Sequence, residues 1–176
     1  MTGAGTRPSL VGVLASMIVP SAVAARPLEP AGPSECTISG TNGGDVLRGT
    51  PGRDVICGRN GNDAIVGLGG NDRIVGGRGN DRIDGGPGTD DVSGGRGADL
   101  VTGGGSDDHV EGGPSRDAIR GDSGSDIVQG GPGRDFCVAT DDGIGGNDVA
   151  NGGPGRDVYD ADAGDTLVSV ETTRDC

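Results

Sequence analysis

Residues Gly58–Asp84 read GRNGNDAIV, GLGGNDRIV and GGRGNDRID, three nine-residue units with Gly first, Gly fourth, Asp sixth and Ile eighth. The register extends unbroken from Gly40 to Val138, which is eleven units. After Ala139–Asp142 it resumes for two more, Gly143–Asn151 and Gly152–Asp160. All thirteen sixth positions are Asp: Asp45, Asp54, Asp63, Asp72, Asp81, Asp90, Asp99, Asp108, Asp117, Asp126, Asp135, Asp148 and Asp157. Every unit opens on Gly, and composition alone does not hold two residue types in phase over such a length. The chain is a repeat protein.

Each unit divides into six turn residues and three strand residues. Gly at the first and fourth positions is expected to take positive φ, which a Cβ disfavours. The eighth positions are Leu47, Ile56, Ile65, Ile74, Ile83, Val92, Val101, Val110, Ile119 and Val128, followed by Cys137, Ala150 and Tyr159. The middle residue of a three-residue strand faces one way and its neighbours the other. Two units therefore make one flattened turn of 18 residues, with the aliphatics meeting inside and parallel strands stacking about 4.8 Å apart. The expected fold is all-β, a parallel roll. Its units alternate sides, which places Asp45, Asp63, Asp81, Asp99, Asp117 and Asp135 in one column and Asp54, Asp72, Asp90, Asp108 and Asp126 in the other.

Composition agrees with a solenoid and excludes other classes. Forty of 176 residues are Gly, with one Phe, one Tyr and no Trp, too few large side chains for an ordinary globular core. The net charge is −13 and all fourteen basic residues are Arg. Such a chain repels nucleic acid and suits a cationic partner.

Units such as GGRGNDRID, GGPGTDDVS and GGPGRDFCV match G-G-x-G-x-D-x-U-x across their full length, and the array at residues 40–160 resembles the RTX, or hemolysin-type, calcium-binding repeats. The segments CTISGTNGGDVL and VICGRNGNDAIVG are similar to the opening of small exported RTX proteins of high-GC bacteria. The resemblance implies a right-handed β-roll with several Ca²⁺ ions between sixth-position carboxylates and turn carbonyls. Elementary electrostatics points the same way. Carboxylates about 5 Å apart repel by roughly 1 kcal/mol per pair even in bulk water, so stacked Asp columns call for counter-ions. Oxygen donors alone suit Ca²⁺, whereas Mg²⁺ keeps its waters and Zn²⁺ favours His and Cys. Asn and Ser would make equal turns without the charge. Ser106 and Ser115 replace the fourth-position Gly, so the loops at Asp108 and Asp117 are expected to bind Ca²⁺ less tightly than those at Asp72 and Asp81.

The flanks read differently. Arg7, the apolar run Leu10–Val19 and the Ala22-x-Ala24 site form a secretory signal over residues 1–25, too short to span a bilayer. Residues 26–39 are a Pro-rich linker ending in a cap strand at Thr37–Ser39, and residues 161–176 form a C-terminal cap in which Thr166–Val170 closes the open edge. Asp160, Asp162 and Asp165 read as a solvated acidic turn rather than a further ion site. Four cysteines in an exported chain suggest two disulfides. Cys57 and Cys137 lie over four turns apart, which leaves Cys36–Cys57 and Cys137–Cys176, the former requiring a bend in the opening segment.

Other motifs carry little. Gly121-Asp122-Ser123-Gly124-Ser125 resembles a serine-protease nucleophile stretch but lies in phase as a repeat loop. His109, the sole His, takes an outward seventh position and reads as solvated surface, and Arg73 and Arg82 as charges offsetting the acids. No catalytic constellation is found, so an enzyme is not expected. The expected function is extracellular calcium binding by a structural or interaction module whose protein or cell-surface partner the residues do not name. Two alternatives are an accessory or folding-aid subunit of a separately encoded secreted enzyme and an ice-binding solenoid. Irregular seventh positions count against the last.

Overall fold

The computed structural model describes residues 35–139, 148–160, 164–168 and 172–173. The expected signal, most of the linker and Cys176 lie outside the described residues. Within them the chain forms sixteen strands in two eight-stranded parallel sheets. One sheet stacks Ile38–Ser39, Val55–Asn60, Arg73–Arg78, Asp91–Arg96, His109–Glu111, Ile127–Gln129, Val149–Asn151 and Thr166–Val168 in that order. The other stacks Val46–Arg48, Ala64–Val66, Arg82–Pro87, Leu100–Gly105, Ala118–Ser123, Phe136–Ala139, Val158–Asp160 and Thr172–Thr173. Consecutive strands alternate between the sheets, the topology of a right-handed parallel β-roll of about six turns. At the ends, Ile38–Ser39 opens the first sheet, and Thr166–Val168 and Thr172–Thr173 are the terminal strands of the first and second sheets.

Register follows the 18-residue turn. Ile56 pairs with Ile74, Ile74 with Val92, and Ile65 with Ile83 as direct neighbours. The eighth-position side chains from Ile56 to Val128 are buried to 1% exposure or less and form one continuous core with Ala150 and Tyr159. Tyr159 is the largest side chain buried in this core and stands toward its C-terminal end. Its hydroxyl donates to the Val168 carbonyl at 3.0 Å and accepts from the Gly152 amide at 2.6 Å, so the buried phenol is satisfied.

The count of thirteen units overstates the regular part. Beyond Val128 the pairing departs from 18 residues: Ile127 pairs with Val149, Val149 with Thr166, and Val158 with Thr172. At the interruption the strand bulges, and Val138, not the expected Cys137, pairs with Ile119 and Tyr159. A bulge absorbs one extra residue into a strand and shifts everything after it.

The disulfide expected at the N-terminal end is formed. Cys36 and Cys57 bridge with Cα atoms 6.0 Å apart across a sequence separation of 21, and the chain bends at Thr37 to allow it. Closing a loop of this length removes about 3 kcal/mol of denatured-state freedom in the chain-entropy picture. It ties down the rung that has no neighbour beneath it.

Glycine serves two separate purposes. Positive φ falls at the second and fourth positions, as at Gly77 (116°) and Gly79 (128°), and not at the first. This corrects the expectation for the first position, where Gly is required by close approach. A Cβ on Gly76 would lie 2.5 Å from Asp81 Oδ2 and 2.5 Å from the Gly94 carbonyl oxygen. The strain of positive φ is borne by side chains at Arg59, Leu68, Ser106, Ser115 and Asp122. Ser106 (φ 86°) and Leu68 (φ 80°) hold the turn conformation that Gly would hold freely. Replacing both by Gly is expected to raise the thermal midpoint, each change adding about 1 kcal/mol. A calorimetric scan in Ca²⁺ checks this, and an unchanged or lowered midpoint counts against it.

Candidate metal centres

The sixth-position aspartates form two continuous relays along the roll. The Asp45 amide donates to Asp63 Oδ1, the Asp63 amide to Asp81 Oδ1, and so on through Asp99, Asp117, Asp135 and Asp157, at 2.8–3.0 Å. The second relay runs from Asp54 through Asp72, Asp90, Asp108 and Asp126 to Asp148 at 2.7–2.8 Å. The two columns read from the periodicity are therefore both formed. Each carboxylate ties its own rung to the backbone of the rung before it.

That use occupies one oxygen. The Oδ2 atoms of Asp63, Asp72, Asp81, Asp90, Asp99, Asp108, Asp117 and Asp135 are buried without a hydrogen-bond partner. A buried carboxylate oxygen in this state costs several kcal/mol unless a cation or a proton meets it. The orphaned oxygen also decides between the two accounts of Asp. An Asn carbonyl could serve the relay as well as Oδ1 does, so turn geometry leaves the second oxygen and the charge unexplained.

The protonation behaviour has the same origin. Burial raises the carboxyl pKa of Asp90, Asp99 and Asp135 to about 6 and of Asp108 and Asp117 to about 7, with neighbouring aspartates of the same column adding to the rise. The amide hydrogen bond at Oδ1 opposes this only in part. Asp72 and Asp81 shift in the same direction for the same reasons.

The donor set fits a hard divalent cation. Around most first-position glycines, a carboxylate Oδ2 and the carbonyl oxygen of the first-position glycine one turn further on approach the place a Cβ would take, as Asp81 and Gly94 do at Gly76 and Asp99 and Gly112 do at Gly94. Among the described residues no three acid, His or Cys side chains converge, so backbone carbonyls and water would have to complete a coordination shell. Carboxylate and carbonyl oxygens are the ligands Ca²⁺ accepts, in flexible geometry and in numbers of six to eight.

The thirteen aspartates are not equivalent. Thr41 meets Asp45 Oδ2 with its amide at 2.6 Å and its hydroxyl at 2.9 Å, and Thr50 meets Asp54 Oδ2 in the same way at 2.7 and 2.8 Å. The first turn thus satisfies its own carboxylates with protein donors. At the far end Asp165 accepts from the Asp148 amide at 3.3 Å, and Leu167 packs on the core two residues later. Asp165 therefore takes a sixth position and extends the relay, where the sequence reading had a solvated turn. The surviving signal is Asp-x-Leu, one residue short of the repeat spacing from Asp157 and without first- and fourth-position glycines. His109 is likewise more than solvated surface: its Nδ1 lies 3.1 Å from Asp91 Oδ1, and that hydrogen bond raises its pKa. Asp108 and Asp117, beside Ser106 and Ser115, keep both their burial and their place in the relays.

The model of the RTX calcium-binding nonapeptide repeat matches the chain in four copies, at residues 39–74, 66–101, 102–137 and 143–168. The chain belongs to the RTX calcium-binding repeat family. No curated protein matches it. The RTX roll is a structural calcium-binding fold, and the repeats of this chain form a calcium-binding module with a row of buried Asp every nine residues. Among the described residues of the RTX roll, no helix is long and apolar enough to cross a membrane.

Proposed function

We propose that this RTX protein is exported and acts outside the cell as a stand-alone roll that Ca²⁺ completes. The ligands are the sixth-position carboxylates Asp63, Asp72, Asp81, Asp90, Asp99, Asp108, Asp117, Asp126, Asp135, Asp148 and Asp157, joined by carbonyls of the first-position glycines. Asp45 and Asp54, already met by Thr41 and Thr50, hold their ions least tightly. The observation that carries this reading is the file of buried Oδ2 atoms facing carbonyl oxygens. Bound Ca²⁺ supplies positive charge between rungs, and binding then contributes directly to folding. The residues do the rest: Oδ1 fixes the rung spacing, and the glycines keep side chains out of the oxygen-lined spaces.

Equilibrium dialysis tests the assignment. The double variant Asp81→Asn, Asp99→Asn retains an Oδ1 acceptor at each position and is expected to bind fewer Ca²⁺ ions than the wild type. Equimolar Mg²⁺ is not expected to displace Ca²⁺. Unchanged stoichiometry and affinity in the double variant would remove these carboxylates from the ligand set. Export rests on the charged start, the ten-residue apolar run and the Ala-x-Ala site. The protein recovered from culture medium should begin just after Ala24 or Ala25 by N-terminal sequencing.

A further inference from the structure

Arginine is distributed unevenly around the roll. Six successive loops on one edge, 58–63, 76–81, 94–99, 112–117, 130–135 and 152–157, each carry one Arg and no acid besides the inward sixth-position Asp. These residues are Arg59, Arg78, Arg96, Arg116, Arg134 and Arg156, and all six are exposed. On the opposite edge the described loops carry Arg53 alone, together with the extra acids Asp107 and Asp122. His109 pairs with Asp91 and Arg120 with Asp122, and among the described residues none of the six forms an ion pair. A chain of net charge −13 has thus kept the six loops of this edge free of outward acids, with Glu111 on the strand beside them.

The backbone sets these residues on successive rungs in offset groups: Arg59 stands opposite Gly77, Arg78 and Arg96 share the third position of their units, and Arg116, Arg134 and Arg156 the fifth. Arg78 and Arg96 are direct partners in the sheet, and their carbonyls accept from the amides of Gly61 and Gly79 at 2.8 Å. Ser115 bridges to Gly133, and Gly133 to Gly155, which sets Arg116, Arg134 and Arg156 in successive rungs. Arg59, Arg78 and Arg96 line a groove of about 490 Å³ beside Ser93 and Glu111. Arg116 lies over the Phe136 ring at 5.5 Å. Six rungs at about 4.8 Å place the first and last arginines roughly 24 Å apart. Like charges on neighbouring strands repel, so this rank is destabilising by itself and favourable with an anion along it.

We infer that this edge binds a linear anionic polysaccharide, with sulfate or carboxylate groups meeting one guanidinium per rung. One guanidinium on each successive rung, at a rise of about 4.8 Å, suits a polymer whose charges recur regularly. Single-stranded nucleic acid would call for stacking aromatics, and the edge has only Phe136, already covered by Arg116. A globular acidic partner would call for a central apolar anchor, which these Gly-, Pro- and Asn-rich loops do not provide.

The test uses the Ca²⁺-loaded protein with dextran sulfate as probe and neutral dextran as control. The wild type is expected to bind the sulfated polymer alone, with affinity falling as salt rises. The variant Arg78→Gln, Arg96→Gln, Arg134→Gln should lose roughly tenfold or more, and its slope of log affinity against log salt should be shallower by about 2. The variant Arg48→Gln, Arg53→Gln, Arg82→Gln removes equal charge elsewhere and should bind as the wild type does. Equal losses in both variants, or no loss in either, would overturn the site. An oligothymidylate bound as tightly as dextran sulfate would overturn the polysaccharide. Should the first triple variant lose its strand circular dichroism, the single variants Arg78→Gln and Arg134→Gln against Arg53→Gln decide the matter by the same comparison.

Discussion

Dialysed free of divalent cations, the protein loses strand circular dichroism as pH rises from about 4 to about 8, and Ca²⁺ reverses the trend. The direction follows from the aspartates. Their folded pKa values, about 6 for Asp90, Asp99 and Asp135 and about 7 for Asp108 and Asp117, lie above the ordinary carboxylate value near 3.9. Below about pH 4 such a carboxyl carries its proton in both states, and the fold bears no penalty for it. Between there and about pH 7 the unfolded chain releases protons that the fold retains, and each group withdraws up to about 1.4 kcal/mol per pH unit. Above about pH 7 the loss is complete and constant. Ca²⁺ inverts the dependence because it binds the ionised form and expels the proton. Circular dichroism from pH 4 to 8, with and without millimolar Ca²⁺, measures both limbs. A metal-free protein with as much strand at pH 8 as at pH 4 would sink the account.

The second large effect comes from a single methyl group. Gly76→Ala places a Cβ 2.5 Å from Asp81 Oδ2, 2.5 Å from the Gly94 carbonyl and 3.0 Å from Ile83 Cδ1. Two of these three neighbours are the oxygens assigned to the cation, and the third is core. Overpacking alone is expected to remove about 1–3 kcal/mol, a fall of roughly 2–12 °C in the thermal midpoint. Ca²⁺ affinity falls with it, since the carboxylate must turn away. Gly105→Ala is the control: its Cβ would meet only Ser123 Oγ, at 3.5 Å, and its φ is not positive. Thermal scans at fixed Ca²⁺ compare the two, and equal midpoints would show that the oxygen-lined spaces tolerate a side chain.

Much of this architecture was legible before any coordinates. A period of nine with one aliphatic per unit leaves a flattened two-strand turn as the way to bury Ile56, Ile65 and Ile74 together. The columns follow by counting, and the Cys36–Cys57 bridge follows from rung spacing and a bend in the opening segment, which the structure places at Thr37. What stayed hidden is local. The letter G does not say whether a position needs positive φ or the absence of a Cβ, so Gly76 and Gly79 looked alike. Asp165 was hidden because its unit has lost its first- and fourth-position glycines, although Asp-x-Leu survives. Thr41 and Thr50 satisfy Asp45 and Asp54 through rotamers that no spacing rule reports. The exchange of Cys137 for Val138 depends on how a strand absorbs the interruption that follows it.

Because strands alternate between two sheets, the gene can change length without harm only in certain steps. Loss or duplication of eighteen residues, such as Gly67–Asp84, returns every later unit to the sheet and edge it occupied before. A nine-residue change is different in kind. It would carry each downstream arginine to the far edge and leave the aspartates and the core aliphatics in phase, so the molecule would still fold but present its charges to the wrong side.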